Sequence, residues 1–104
     1  MYQAVVDGEV DVISAFTSDG RIAADDLLVL ADPRGAILPY DAIVLLSPQR
    51  AADAVLRRAL QPLLGAIPLE LMQQANYRVD RNASKDTPAA AARWLASEVA
   101  ELGK

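Results

Sequence analysis

The sequence contains neither cysteine nor histidine. The chain therefore cannot form a thiol nucleophile, a catalytic triad that uses imidazole as its base, or a zinc site of the Cys/His kind. Lys and Arg are also sparse, 10 residues against 14 Asp and Glu, and they form no cluster long enough to follow a phosphate backbone. We therefore expect neither an enzyme nor a nucleic-acid-binding protein, and we expect no metal ion or other cofactor.

Long apolar runs are missing as well. A run such as Ala42 to Leu46 is far shorter than the roughly 20 residues that span a bilayer, and Met1 is not followed by a basic stretch and an apolar signal core. The chain as given predicts no membrane span and no signal peptide. If it works outside the cytoplasm, we expect the signal or anchor to belong to a longer parent protein.

The 104 residues are 53% hydrophobic, which suffices for one small domain but not for a deep cleft between two lobes. Three short segments predict strands. Residues Val10 to Phe16 alternate in polarity and begin with β-branched types, and Leu27 to Leu30 forms a second apolar run. Residues Ala36 to Leu46 are apolar except at Asp41, which predicts burial on both faces of a sheet.

Helices are predicted on either side of these segments. Residues Met1 to Val6 are typical of a helix end, and three longer helices are predicted to begin at Ser47-Pro48, Pro68 and Thr87-Pro88. The first of these should kink or end at Pro62, the second should run to about Asn76, and the third should turn inward the side chains of Trp94, Leu95, Val99 and Leu102. Three strands followed by three helices predict part of an α/β protein, and the irregular order indicates a piece of something larger.

Two stretches carry a family resemblance. Residues 8–48 read GEVDVISAFTSDGRIAADDLLVLADPRGAILPYDAIVLLSP, with a Gly-x-Val-Asp-Val segment, a Thr-Ser-Asp-Gly loop, a Leu-x-Val-Leu-x-Asp run and a Pro-Tyr pair. Residues 65–98 read GAIPLELMQQANYRVDRNASKDTPAAAARWLASE, with Met, Ala-Asn and Val-Asp positions. Together they resemble the last portion of the substrate-binding proteins of ABC importers for glycine betaine, choline and related quaternary ammonium solutes.

The resemblance implies a fold and a cellular setting. It implies part of a type II periplasmic-binding-protein-like fold, in which residues 1–28 finish the second lobe, residues 29–39 form the crossover or hinge, and residues 40–104 return to the first lobe. It also implies an extracytoplasmic location, in the periplasm or on the outer face of the cell membrane. The implied partners are a small quaternary ammonium solute and an ABC permease, either separate or fused to the binding domain.

Binding a quaternary ammonium group requires aromatic faces, because a methylated cation cannot donate strong hydrogen bonds. Tyr40 follows Pro39 where the family's cleft-lining Pro-Tyr pair lies, and Tyr77 matches a position where some members carry a cage tyrosine; a packing role is the alternative for each. Trp94 lies at helical spacing with Leu95 and is expected in the core.

A polar loop supplies the other candidate ligand contacts, Thr17, Asp19 and Phe16. Thr17 and Asp19 follow a predicted strand at the end where open α/β sheets bind ligands. The alternatives are an Asx-turn for Asp19, core packing for Phe16 and a solvated surface position for nearby Arg21.

Two functional hypotheses remain open on the sequence alone. The first is solute capture for import, in which glycine betaine, choline, carnitine and ergothioneine are not distinguished. The second is a structural or interaction module that binds no ligand. In either case, segments that lack a pairing partner should promote self-association of the isolated chain.

Overall fold

The computed structural model describes residues 1–103, and within them the regular structure is helical. The elements are α1 (Tyr2–Val6), α2 (Gly20–Ala24), α3 (Pro48–Ala51), α4 (Ala54–Leu60), a 3-10 turn (Gln61–Leu63), α5 (Leu69–Asp80) and α6 (Pro88–Leu102). The chain divides into two compact units, one formed by residues 1–29 with residues 67–103 and the other by residues 30–66. Across the described part of the chain, no helix combines the length and apolar character that a membrane crossing requires.

The first unit is built on α5, which packs against α2 on one side and α6 on the other. Its buried apolar residues are Ile22 of α2, Ala75 of α5 and Ala91 of α6. Since two of the three are alanines, the helices meet through small side chains, and burial contributes less than a core of Leu and Phe would. The positions of the helices therefore depend strongly on individual polar contacts.

The connection between α5 and α6 is held by ion pairs around Asp86. Arg78 donates from Nε to Asp86 Oδ2 at 2.7 Å, and the Asp86 N–H donates to the Arg78 carbonyl at 2.8 Å. The Arg78 guanidinium also lies 4.5 Å from the centroid of the Trp94 ring, a cation–π arrangement. Trp94 is therefore half-buried against a charged side chain rather than fully enclosed in the core.

The start of α6 follows the sequence closely. Thr87 is the N-cap residue, its Oγ1 accepts from the Ala90 N–H at 3.2 Å, and Pro88 occupies the first turn, as predicted. Pro68 likewise precedes α5, although the helix continues past Asn76 to Asp80. At the far end of α6, the prediction for Leu102 was wrong, because this side chain is exposed rather than turned inward.

The second unit contains α3, α4 and the 3-10 turn. The single helix predicted from Ser47-Pro48 is interrupted, because the Asp53 carboxylate accepts from the Leu56 N–H at 2.9 Å and starts a new helix. Upstream, residues 32–35 form a turn in which the Gly35 N–H donates to the Asp32 carbonyl at 3.2 Å. Backbone N–H groups, that of Ile37 first, lower the pKa of Asp32 below its ordinary value.

The predicted fold class, an α/β unit with three short strands, was wrong for the described residues. None of residues 1–103 lies in a strand, and the segments Val10–Phe16, Leu27–Leu30 and Ala36–Leu46 are without a ladder. Burial of the third segment on both faces was also wrong, since residues 36–45 are exposed. The physical reason is that a strand needs a second strand to satisfy its backbone groups, and an apolar pattern does not supply that partner.

Candidate ligand-binding site

The loop of residues 16–20 is organised around the carboxylate of Asp19. Asp19 Oδ2 accepts from the Tyr2 hydroxyl at 2.5 Å and from the Phe16 N–H at 3.3 Å, while the Asp19 N–H donates to the Phe16 carbonyl at 2.9 Å. Asp19 also occupies the N-cap position of α2 without a side-chain capping bond. An Asx-turn does not describe these bonds, because the carboxylate reaches back three residues and across to α1.

Two amides of α5 hold the same loop from the other side. Gln73 Nε2 donates to the Thr17 carbonyl at 2.7 Å, and Asn76 Nδ2 donates to the Ser18 carbonyl at 2.8 Å. These bonds join residues 56 and 58 positions apart in the chain. The loop is therefore tied to α5 and to α1 in addition to its own turn.

Gly20 brings α2 into direct contact with the backbone of α5. A Cβ atom placed on Gly20 would lie 2.5 Å from both the Gln73 carbonyl oxygen and the Tyr77 Cβ, and closer still to the Tyr77 backbone nitrogen. Gly20 is buried and its φ is not positive, so close approach of the two helices is the property that requires glycine here.

Tyr77 lies between two shallow cavities of this unit. One, of about 220 Å³, lies between α2 and α5, and the other, of about 90 Å³, is lined by Arg21, Asp25 and Arg81 among others; Tyr77 contributes to both. Arg21 is not available as an isolated surface cation, because its Nε donates to Asp25 Oδ2 at 2.8 Å.

Tyr2 adds an aromatic ring beside the loop. Its ring centroid lies 5.7 Å from the Arg21 guanidinium carbon. Burial, followed by the hydrogen bond to Asp19, raises the pKa of the Tyr2 hydroxyl to about 12. The phenol therefore stays protonated and continues to donate to the carboxylate throughout the physiological pH range.

The candidate contacts predicted from sequence fall into both units. Phe16, Thr17 and Asp19 share one loop of the first unit, and that loop is bonded to α5, the helix that carries Tyr77. Tyr40 belongs to the second unit, on the irregular segment after Pro39, where it is 86% exposed. Phe16 is 57% exposed, so its side chain does not pack in a core formed by residues 1–103.

Sequence reasoning missed the residues that hold the loop, namely Tyr2, Gln73 and Asn76. One signal for the amides was present: Gln73 and Asn76 are three residues apart on a helix, so they share a face with Tyr77. Polar amides on the packed face of an amphipathic helix need partners, and backbone carbonyls of a neighbouring loop are suitable acceptors. Nothing in the sequence indicated which loop would supply them.

Chemically, the first unit supplies the exposed ring of Phe16 on an ordered polar loop. Aromatic rings attract a cation that has no hydrogen to donate, and ordered carbonyl and hydroxyl groups can orient the rest of a small solute. Among residues 1–103, no group of three or more Asp and Glu side chains converges on a point where a metal ion could bind.

Comparison with known proteins identifies the relationship. Residues 1–97 match the family described as the substrate-binding domain of ABC-type glycine betaine transport systems. The chain is also 33% identical over 86 residues to the carnitine transport binding protein OpuCC of Listeria monocytogenes, both in serotype 1/2a strain 10403S and in a second sequence from the species. The alignment covers 77% of this chain and 26% of each relative, so the chain spans about a quarter of their length.

No solved structure shows significant similarity to the chain. The family match nevertheless extends over nearly every described residue, including the Thr17–Gly20 loop, the Pro39-Tyr40 pair and α5. The resemblance inferred from the motifs is thereby confirmed: the chain belongs to the family of substrate-binding domains of ABC-type glycine betaine transport systems.

Proposed function

We propose that the protein captures a small quaternary ammonium solute, such as glycine betaine, choline or carnitine, for uptake by an ABC importer. The observation that carries this proposal is the family match over residues 1–97. The family is one of transport proteins, and the OpuCC relatives are named for carnitine transport. The protein would accordingly bind its solute outside the cytoplasm without changing it chemically and deliver it to a permease.

The proposed ligand contacts are Tyr40, Tyr77, Phe16, Thr17 and Asp19. Exposed rings at Tyr40 and Phe16 suit a trimethylammonium group, and each such contact contributes about 0.5–2 kcal/mol. The loop can orient the polar end of the solute, and Asp19 contributes mainly by ordering the loop through Tyr2 and Phe16. The assignment of residues 1–28, 29–39 and 40–104 to a lobe, a crossover and a second lobe stays a prediction.

Calorimetry tests the proposal directly. Glycine betaine, choline and carnitine would be titrated separately into the longest natural form of the protein that carries these residues. We expect at least one of the three solutes to bind with micromolar affinity or better. Analogues without a trimethylammonium group, such as glycine, should not bind, because the aromatic contacts recognise the methylated cation. Absence of binding by all three solutes would refute the proposed function.

One observation favours a second candidate, an interaction module without a ligand. The segments 10–16, 27–30 and 36–46 expose many large apolar side chains, among them Val12, Leu28 and Leu45. Exposed apolar segments of this kind tend to associate with other polypeptide. Failure to bind any solute, together with stable association with other chains of the importer, would favour the module.

A further inference from the structure

We propose that Gln73 and Asn76 are positioning residues that hold the solute-contacting loop, residues 16–20, in its binding conformation before the solute arrives. This inference rests on the proposed function, since it assigns the loop a role in binding. Neither residue is a proposed ligand contact. Their side-chain amides donate to the carbonyls of Thr17 and Ser18 at 2.7 and 2.8 Å.

The spacing of the two amides matches the spacing of the two carbonyls. Residues three apart on a helix share a face and differ by about 4.5 Å along the axis, while successive Cα atoms of a chain lie about 3.8 Å apart. One helix face can therefore bind two consecutive loop carbonyls at once. Because each peptide unit is planar, fixing the carbonyls of Thr17 and Ser18 also fixes the N–H groups that follow them.

The rest of the loop is fixed by contacts that do not involve these amides. Asp19 is bonded to Tyr2 and to the Phe16 N–H, and Gly20 lies against the backbone of α5. Both ends of the loop are therefore anchored, and the amides of α5 determine the conformation between them. The side chains of Phe16 and Thr17 on this anchored loop are exposed.

The loop should be ordered before the solute binds, because any free energy needed to order it during binding is subtracted from the affinity. The bond from Gln73 lies at the exposed side of the loop, whereas the packing of α2 on α5 depends on buried Gly20, Ile22 and Ala75. Loss of one amide donor should therefore loosen the loop more than it destabilises the unit. We expect affinity for glycine betaine to fall about 3- to 10-fold for each bond lost.

Isosteric substitutions test this role. Gln73→Glu and Asn76→Asp remove the N–H donor with almost no change in shape and place a carboxylate against a carbonyl. Gln73→Lys retains a donor that reaches the Thr17 carbonyl but carries the opposite charge. Gln74→Glu makes the same chemical change on the neighbouring, exposed residue of α5, which faces about 100° away, and is the matched control.

Three measurements are made on the longest natural form of the protein. Amide hydrogen exchange at Asp19, whose N–H belongs to the same peptide unit as the Ser18 carbonyl, reports loop order without any solute. Calorimetry with glycine betaine reports affinity, and thermal unfolding gives the melting temperature. In Q73E and N76D we expect faster exchange at the Asp19 amide, weaker binding and a melting temperature within a few degrees of the wild type. Q73K and Q74E should resemble the wild type in all three properties.

The charge changes separate positioning from electrostatics. A carboxylate near a cationic group strengthens its binding and an ammonium weakens it, so a purely electrostatic role predicts tighter binding in Q73E and weaker binding in Q73K. If Q73E unfolds the protein, Gln73→Met, which has similar length and no charge, replaces it. Unchanged exchange at the Asp19 amide in the donor-free variants, or equal losses of affinity in Q73E and Q73K, would overturn the inference. Failure of the wild type to bind any solute would instead refute the proposed function, because the exchange measurement is independent of solute.

Discussion

Substitution of Gly20 by alanine should destabilise the first unit strongly. The added methyl group would lie 2.5 Å from the Gln73 carbonyl oxygen and from the Tyr77 Cβ, whereas ordinary contact begins at 3.4 Å. Since the obstructing atoms are mostly backbone, no flexible side chain can move aside, and α2 and α5 would have to separate by about 1 Å. Overpacking of this kind costs about 1–3 kcal/mol, and the rigid surroundings place Gly20→Ala at about 2–3 kcal/mol.

Two smaller effects modify this estimate. Alanine is the better helix former by about 1 kcal/mol in a helix interior, but Gly20 lies at the first position of α2, where the gain is smaller. Separation of the helices would also strain the bonds from Gln73 and Asn76 to the loop. For a protein of this size we expect the melting temperature to fall by roughly 10–20 °C.

Thermal unfolding followed by circular dichroism measures this change, and Gly103→Ala is the matched control. Gly103 follows α6, has a negative φ of -86°, and a Cβ there would meet its nearest atom, the Ala100 carbonyl oxygen, at 3.9 Å. G103A should therefore alter stability by no more than about 0.5 kcal/mol. A melting temperature for G20A that equals that of G103A would show that α2 does not pack on α5 as described.

Four further predictions concern the proposed binding residues, pH dependence, the isolated chain and its association. Tyr40→Ala should weaken quaternary ammonium binding by about 1–3 kcal/mol and leave the melting temperature nearly unchanged, because the side chain is 86% exposed; Tyr40→Phe should be milder, and a large loss of stability with full affinity would contradict the assignment. Because burial and Asp19 raise the pKa of Tyr2 to about 12, the unfolded chain releases this proton first, so the contribution of Tyr2 is complete below pH 10 and is lost as the pH rises through about 12. Stability measured against pH should show no such loss in Tyr2→Phe. The 104 residues alone should bind glycine betaine too weakly for calorimetry, and a clear micromolar isotherm would be the contrary result. The isolated chain should also self-associate through its exposed apolar segments, and light scattering that finds only monomer at high concentration would argue against this.

Part of the candidate site was accessible from the sequence. The motif order around Thr17–Gly20 and Pro39-Tyr40 indicated the family, and the loop and Tyr77 were both selected as candidate contacts. The bonds that hold the loop on α5, the helix of Tyr77, were not predicted, because they join residues that are 56 and 58 positions apart. Gly20 was read as a loop residue, although its importance comes from a neighbouring helix that no local pattern reveals.

The sequence by itself determined the helix starts, such as Thr87-Pro88 before α6, because a cap and a first-turn proline act on residues within one turn. It also determined which segments are apolar, but not whether they pair. Only the tertiary structure decided that Val10–Phe16 and Ala36–Leu46 lie outside any strand among residues 1–103. The physical reason is that a helix satisfies its backbone groups four residues away, whereas a strand depends on a distant partner.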